Sequence, residues 1–404
     1  MTHAGIALSE ELSSEDMLHI EVTIRRSFDL HEIRQIDNRL EIIVGDNAPG
    51  SNLERTLKRV VRACRYASND LLFVRSVASH DSVDPQPALE YRGDVQRFGS
   101  GLFAFTGDFL RVRTALDRKV IDIAALHDAT ELSYPSLWPV PVLQSINYFH
   151  DFPQLALLAC GVEPNFQARD TFATRFSKAS QQSTIACAAE NGVGPAHNVL
   201  APTVCDCCYW LLQGRRDVSD RVYTMHGQVF RNESSVDHRL DRLTAYTMRE
   251  IVIVGSPAFV LSRREALIDN TSALITSLDL ACEIKAADDP FFCNDALQKN
   301  MMQNLDRLKY EVDVPLFAGR HVAVASVNLH NDFFSRNYDF KCEGSELFSA
   351  CVGFGYERLT YALFCRHGVD LAQWPTSVLA FLELRPKNLD VVEMSDKTRD
   401  LVTQ

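Results

Sequence analysis

The stretch His226 to Gly255, HGQVFRNESSVDHRLDRLTAYTMREIVIVG, decides the fold. It reads as a strand ending in Phe230-Arg231-Asn232-Glu233, a polar loop of about ten residues, and a second strand carrying Arg242, Tyr246 and Glu250. An antiparallel pair whose connecting loop is crowded with Arg, His, Asp and Glu packs poorly but suits a polyanion. Arg231 and Arg242 project from neighbouring strands, and each guanidinium offers a planar fork of donors that matches phosphate oxygens. Glu233 lies two residues beyond Arg231, hence on the same strand face, where it can accept from an exocyclic amine. Tyr246 supplies a ring on which a purine can stack, so the set suits ATP. Taken alone, the same residues also fit a solvated, salt-bridged hairpin.

A second stretch argues against the solvated hairpin. Gly353-Phe354-Gly355-Tyr356-Glu357-Arg358 puts an arginine at the opening of a helix whose other residues are apolar, where packing has no use for the charge. The glycines permit close backbone approach, and the positive end of the helix adds attraction for phosphate.

The bulk numbers set the frame for these motifs. The chain has 404 residues, enough for one large domain and a smaller companion. Apolar residues make up 46% and charged residues 23%, as in an ordinary globular protein, and no apolar run is long enough to span a membrane. The opening MTHAGIALSEELSSED is acidic where an export signal is basic and then apolar, which places the protein in the cytoplasm. A net charge of −12 argues against broad, non-specific attraction to nucleic-acid phosphate. With 11 Cys in no secreted-type spacing, reduced thiols or metal ligands are expected rather than disulfides.

Along the chain, His19 to Arg26 and Leu40 to Val44 read as strands, and Ser51 to Tyr66 as a helix. Ser79 to Gly101 is rich in Asp, Pro and Gly and reads as loop. A helix over Pro141 to Ile146 leads through Asn147-Tyr148-Phe149 into an apolar strand after Pro153. Ser262 to Ala281 and Ala296 to Leu308 have helical periodicity, and His321 to Leu329 alternates as a strand.

With these residues in place, the sequence resembles the class II aminoacyl-tRNA synthetases over about residues 132 to 370. Phe230-Arg231-Asn232-Glu233 with Arg242 and Tyr246 looks like that class's motif 2, with Tyr246 in place of the usual Phe. Gly353 to Arg358 looks like motif 3. Asn147 to Pro153 resembles motif 1, the dimerisation element, with Asn147 in place of the usual Gly. The resemblance implies an α+β fold, an antiparallel sheet flanked by helices, forming a homodimer. It also implies a catalytic domain over residues 128–404, while the alternating strand-like and helix-like runs of residues 1–127 read as a small α+β module of unknown role.

Within the class, the resemblance narrows to the atypical zinc-dependent seryl-tRNA synthetases of methanogens and their truncated relatives, the amino acid:[carrier protein] ligases. It rests on Pro202-Thr-Val-Cys205, on Arg249-Glu250 and on Ser349-Ala-Cys351-Val-Gly353. Cys205, Glu250 and Cys351 would then hold zinc, with an open fourth position for the amino group of a small amino acid. Cys207 and Cys208 are nearby alternatives. The implied reaction is attack of the amino-acid carboxylate on the α-phosphate of ATP, giving an aminoacyl-adenylate. Arg231 would hold the α-phosphate, Arg242 and Arg358 the far phosphates, and Glu346 a bridging magnesium.

The acceptor divides the readings. Synthetases load a tRNA hydroxyl, whereas the ligases load the phosphopantetheine thiol of an acyl or peptidyl carrier protein. Residues 1–130 carry a charge of about −4, where a tRNA-binding module is normally basic, which favours the carrier protein over tRNA. A seryl-tRNA synthetase is the alternative, and a non-catalytic paralogue acting as a regulator is a third reading. Retention of Arg231, Glu233, Arg242 and Arg358 together speaks against the third.

Overall fold

The computed structural model describes residues 2–8, 12, 17, 20–21, 24, 30–45, 53–54, 57–58, 61, 71–77, 83–177, 184–232, 239–291, 299, 303 and 307–385. Among these, the buried apolar residues form two separate cores. The smaller gathers Ile6, Leu40, Ile42 and Val44 with Ile20, Ile24, Leu53, Leu57 and Val61. Its sheet has the strands Thr2–Ala7, Leu30–Ile36 and Arg39–Val44, with Arg39–Val44 in the middle. Ile20, Glu21 and Ile24 are helical, not the strand expected over His19 to Arg26. The β-branched composition favours a strand, but burial of Ile20 and Ile24, four residues apart, is satisfied by a helix face.

The larger core is built on one sheet. Its strands are β1 (Leu71–Arg75), β2 (Thr130–Leu132), β3 (Arg221–Phe230), β4 (Ala245–Gly255), β5 (Cys282–Ala286), β6 (Lys309–Pro315), β7 (His321–Asn331) and β8 (Phe348–Gly355). They lie in the order β1-β5-β6-β7-β8-β4-β3-β2, antiparallel throughout except for β3 with β2. Three helices, α1 (Gly107–Ala125), α2 (Pro257–Ser277) and α3 (Tyr356–His367), pack against the central strands.

Residues on both sides of the boundary expected between 127 and 128 take part in this packing. β1 pairs with β5, and α1 buries Phe109, Val112, Leu116 and Val120 in the large core. The segment expected as loop over Ser79 to Gly101 also joins it, through the helix Gln86–Arg92 and the strand Val95–Gly99. Pro87 sits in the first turn of that helix, where a missing N–H costs nothing, so the proline marked a helix start rather than a loop. The helix expected over Ala296 to Leu308 lies mostly outside the described residues.

After Leu137 the expected helix lies at Val140–Gln144 and the expected strand at Leu158–Val162, with a further short helix, Tyr148–Asp151, between them. Asn147 between them has φ 59° and ψ 21°. That left-handed conformation suits glycine and is one that asparagine tolerates, which accounts for the residue found there. Among the described residues, no helix is long and apolar enough to cross a membrane.

Candidate functional site

Side chains alternate across a strand, so adjacent residues serve opposite faces of the sheet. On β4, Arg249 turns towards α1 while Glu250 turns to the face away from the helices. Glu250 is directly opposite Gly353 of β8, and Cys351 is the next residue along β8 on that face. A Cβ at Gly353 would lie 3.4 Å from Glu250 Cγ and 3.0 Å from Met248 Cε, so the glycine leaves room for the Glu250 side chain. Cys205 enters from outside the sheet, at the start of the short helix Asp206–Trp210.

These three are buried, and one ligand atom from each lies within 4.8 Å of the others. Val204 N–H donates to Glu250 Oε1 at 3.0 Å, and the Tyr134 hydroxyl donates to the Val204 carbonyl. Glu250 Oε2 is buried with no hydrogen-bond partner among the described residues. A buried carboxylate oxygen left unpaired in a cluster with two thiols is costly unless something positive lies beside it. The contact with Cys351, burial and the Glu250 charge push the Cys205 thiol well above its usual range. At Cys351 the contact with Cys205 pulls the other way, but burial and the Glu250 charge carry the thiol upward overall. A divalent cation would reverse this balance, and two sulfurs with one carboxylate oxygen suit zinc. Cys207 and Cys208 stand outside the group.

The other end of the same face holds the arginines. Arg231, just past the end of β3, donates from Nε to the Pro202 carbonyl at 3.0 Å, and its backbone N–H donates to the Thr244 carbonyl at 2.9 Å. Its guanidinium carbon lies 5.7 Å from the centre of the Tyr246 ring, and that of Arg358 lies 6.0 Å from the same centre. Arg358 is in the first turn of α3, as the glycine motif implied, and donates to the Ala323 carbonyl at 3.3 Å. The structure therefore brings Arg231, Tyr246 and Arg358 together.

The remaining expected residues fare differently. Arg242 is on the bend before β4, not on the strand itself, because pairing begins only at Ala245 with Phe230. Glu233 lies outside the described residues. Glu346 is exposed on a two-residue strand opposite Lys341, just before β8. It is at the end of β8 remote from Arg358, and a strand of that length spans roughly 23 Å. Glu346 therefore stands apart from Arg358, with the length of β8 between them.

Several residues escaped the sequence reading. Asn328 and His330 project from β7 beside Cys351, with Asn328 Nδ2 at 3.5 Å and His330 Nε2 at 3.8 Å from its sulfur. The alternation of β7 carries this signal, since Ser326, Asn328 and His330 share a face, but a strand ended at Leu329 omits the histidine. Asp206 is buried beside the cysteines, and burial pushes its carboxyl up to about 7 while Thr203 Oγ1 donates to it at 2.8 Å. On the opposite face, Arg249 Nε meets Asp117 Oδ1 at 2.6 Å and Nη1 meets Glu131 Oε1 at 3.1 Å. Tyr356 adds a hydroxyl to Asp117 at 2.7 Å.

No family model matches the chain. Among solved structures, M. kandleri SerRS in complex with A. aeolicus tRNASec superposes with a TM-score of 0.67 at 18% identity, over 96% of this chain and 80% of that one. The fold is that of the class II aminoacyl-tRNA synthetases. Among curated proteins, amino acid–[acyl-carrier-protein] ligase 2 of Bradyrhizobium diazoefficiens is 31% identical over 283 residues, 67% of this chain and 82% of its own length. Ligase 1 of the same organism is 29% identical over 314 residues, 75% of this chain and 94% of its own. The chain belongs to this family of amino acid–[acyl-carrier-protein] ligases.

Proposed function

We propose that the protein activates a small amino acid with ATP and transfers it to the phosphopantetheine thiol of a carrier protein. The observation that carries this reading is the sharing of one sheet face by Cys205, Glu250 and Cys351 and by Arg231, Tyr246 and Arg358, in a chain of the ligase family. The first group supports a zinc site and the second an ATP site. Zinc, when bound, supplies a Lewis-acidic position for an amino group.

The chain's own residues supply position and charge. Arg231, fixed by Pro202 and Thr244, holds the α-phosphate while the amino-acid carboxylate oxygen attacks phosphorus. The bond from the α-phosphorus to the bridging oxygen breaks, and pyrophosphate leaves; magnesium, when bound, would offset its charge. Arg358 and Arg242 bear the charge of the far phosphates, and Tyr246 packs against the purine. The phosphopantetheine thiolate then attacks the acyl carbon, and AMP departs. Exposed Leu158 and Val162, on the strand after Pro153, support a homodimer contact there.

The test offers labelled amino acids with ATP, and holo-carrier protein and total tRNA side by side. Label on the carrier protein alone is expected. Label on tRNA and not on the carrier would overturn the acceptor, and absence of ATP–pyrophosphate exchange with every amino acid, zinc present, would overturn the enzyme.

A further inference from the structure

The imidazole of His330 is held from three sides. Its Nδ1 lies 3.3 Å from Ser349 Oγ and 3.4 Å from the Tyr209 hydroxyl. Its Nε2 lies 3.8 Å from Cys351 Sγ. The ring stands edge-on to Phe334, with centres 4.8 Å apart at 81°, and to Tyr209, at 5.8 Å and 78°. A neutral imidazole has one acceptor nitrogen and one N–H. The two hydroxyls that flank Nδ1 can both donate, which leaves the proton on Nε2, facing the sulfur.

Asn328 presents a second donor to the same atom, Nδ2 to Sγ at 3.5 Å. The two sulfurs of the site are thus in unlike surroundings. Cys351 faces N–H donors from β7, whereas Cys205 Sγ faces Asp206 Oδ1 at 3.8 Å. His330 touches one member of the Cys205, Glu250 and Cys351 group without belonging to it. Groups that hydrogen-bond a metal ligand fix its orientation and temper its charge, and removing one typically weakens metal binding by about 10–100-fold.

We propose that His330 is a positioning residue for the metal centre, its Nε2–H holding the Cys351 sulfur in place while Ser349 and Tyr209 set the tautomer. The inference rests on the reading of Cys205, Glu250 and Cys351 as a zinc site. Its chemistry is independent of which acceptor the enzyme loads.

The test is zinc affinity of the full chain, by competition with a chromophoric chelator, and the sulfur-to-cobalt charge-transfer band after cobalt substitution. His330→Phe keeps a ring and removes the N–H, whereas His330→Gln restores an N–H at similar reach. The expected result is zinc binding about 10–100-fold weaker in His330→Phe with an altered cobalt band, and recovery of most of the affinity in His330→Gln. Unchanged affinity and band in His330→Phe would overturn the proposal, as would equal losses in both variants, which mark packing alone. If His330→Phe does not fold, Ser349→Ala combined with Tyr209→Phe strips both hydroxyls from Nδ1, and unchanged zinc affinity there would overturn the proposal instead. Wild-type protein that takes up no zinc would remove the underlying site reading, an outcome distinct from a wild type that binds zinc while His330→Phe binds it equally well.

Discussion

Val204 N–H donates to Glu250 Oε1 at 3.0 Å, which fixes the carboxylate and leaves Oε2 buried with no hydrogen-bond partner among the described residues. Glu250→Gln keeps an oxygen for Val204 and removes the charge. Zinc content per chain, measured by plasma emission after dialysis, is expected to fall at least about tenfold. Cys205→Ala is expected to lose zinc and ATP–pyrophosphate exchange together, while Cys207→Ala retains both, because Cys207 stands outside the group. Loss of zinc from Cys207→Ala at wild-type folding would reassign the ligand.

At the nucleotide end, the Arg231 and Arg358 guanidinium groups both lie within contact of one ring, that of Tyr246. Replacing Arg358 with Ala removes a charge that acts on transferring phosphates, and the exchange rate is expected to fall by about 10²–10³. Tyr246→Phe keeps the stacking surface and should stay within about threefold of wild type, whereas Tyr246→Ala should raise the KM for ATP. A Tyr246→Phe variant as damaged as Tyr246→Ala would show that the hydroxyl, not the ring, is what ATP uses.

Glu346 offers the converse test. It is exposed and lies at the end of β8 away from Arg358. Glu346→Gln is therefore expected to leave both exchange and its magnesium dependence within about twofold of wild type. A strong shift in magnesium requirement would place it in the site.

Across the sheet, Asp117 and Arg249 form a brace between α1 and β4. Burial alone would raise the Asp117 carboxyl, but the hydrogen bonds from Arg249 and Tyr356 and the Arg249 charge outweigh it and hold it below the usual carboxylate range. Its folded value is lower than its unfolded one, so the stabilisation is complete above about pH 4 and disappears as pH falls through the folded value. Asp117→Ala leaves the buried Arg249 guanidinium with only Glu131 and Thr224 as partners and is expected to cost about 1–3 kcal/mol by denaturant unfolding at neutral pH. The difference from wild type should shrink on acidification. A gap that stays constant to low pH would show that packing, not the ion pair, is responsible.

What the sequence disclosed depended on how local the signal was. The Arg221–Phe230 and Ala245–Gly255 hairpin and the Gly353 to Arg358 turn were legible because periodicity, glycine and charge occur within a few residues of one another. Cys205, Glu250 and Cys351 were legible only through family resemblance, since no spacing rule links residues 205, 250 and 351. The Asp117–Arg249 brace spans 132 positions and leaves no local trace. Leu71–Arg75 was missed as part of the main sheet for the same reason, because its partner Cys282–Ala286 lies some two hundred residues away and sheet pairing is set by tertiary packing. Arg242 was placed on a strand because its charge fitted the motif, while the backbone turns at Arg242 and pairs only from Ala245.

The opposed directions of Arg249 and Glu250 bear on assembly as well as chemistry. A one-residue slip of β4 against β3 and β8 would turn every side chain to the other face. It would thrust a guanidinium between the sulfurs of Cys205 and Cys351 and set a glutamate against the Asp117 carboxylate. Each burial of an unpaired or like charge costs several kcal/mol. The dipeptide thus acts as a proofreader of strand alignment, so a molecule that passes its check has by the same act set Glu250 beside Cys205 and Cys351.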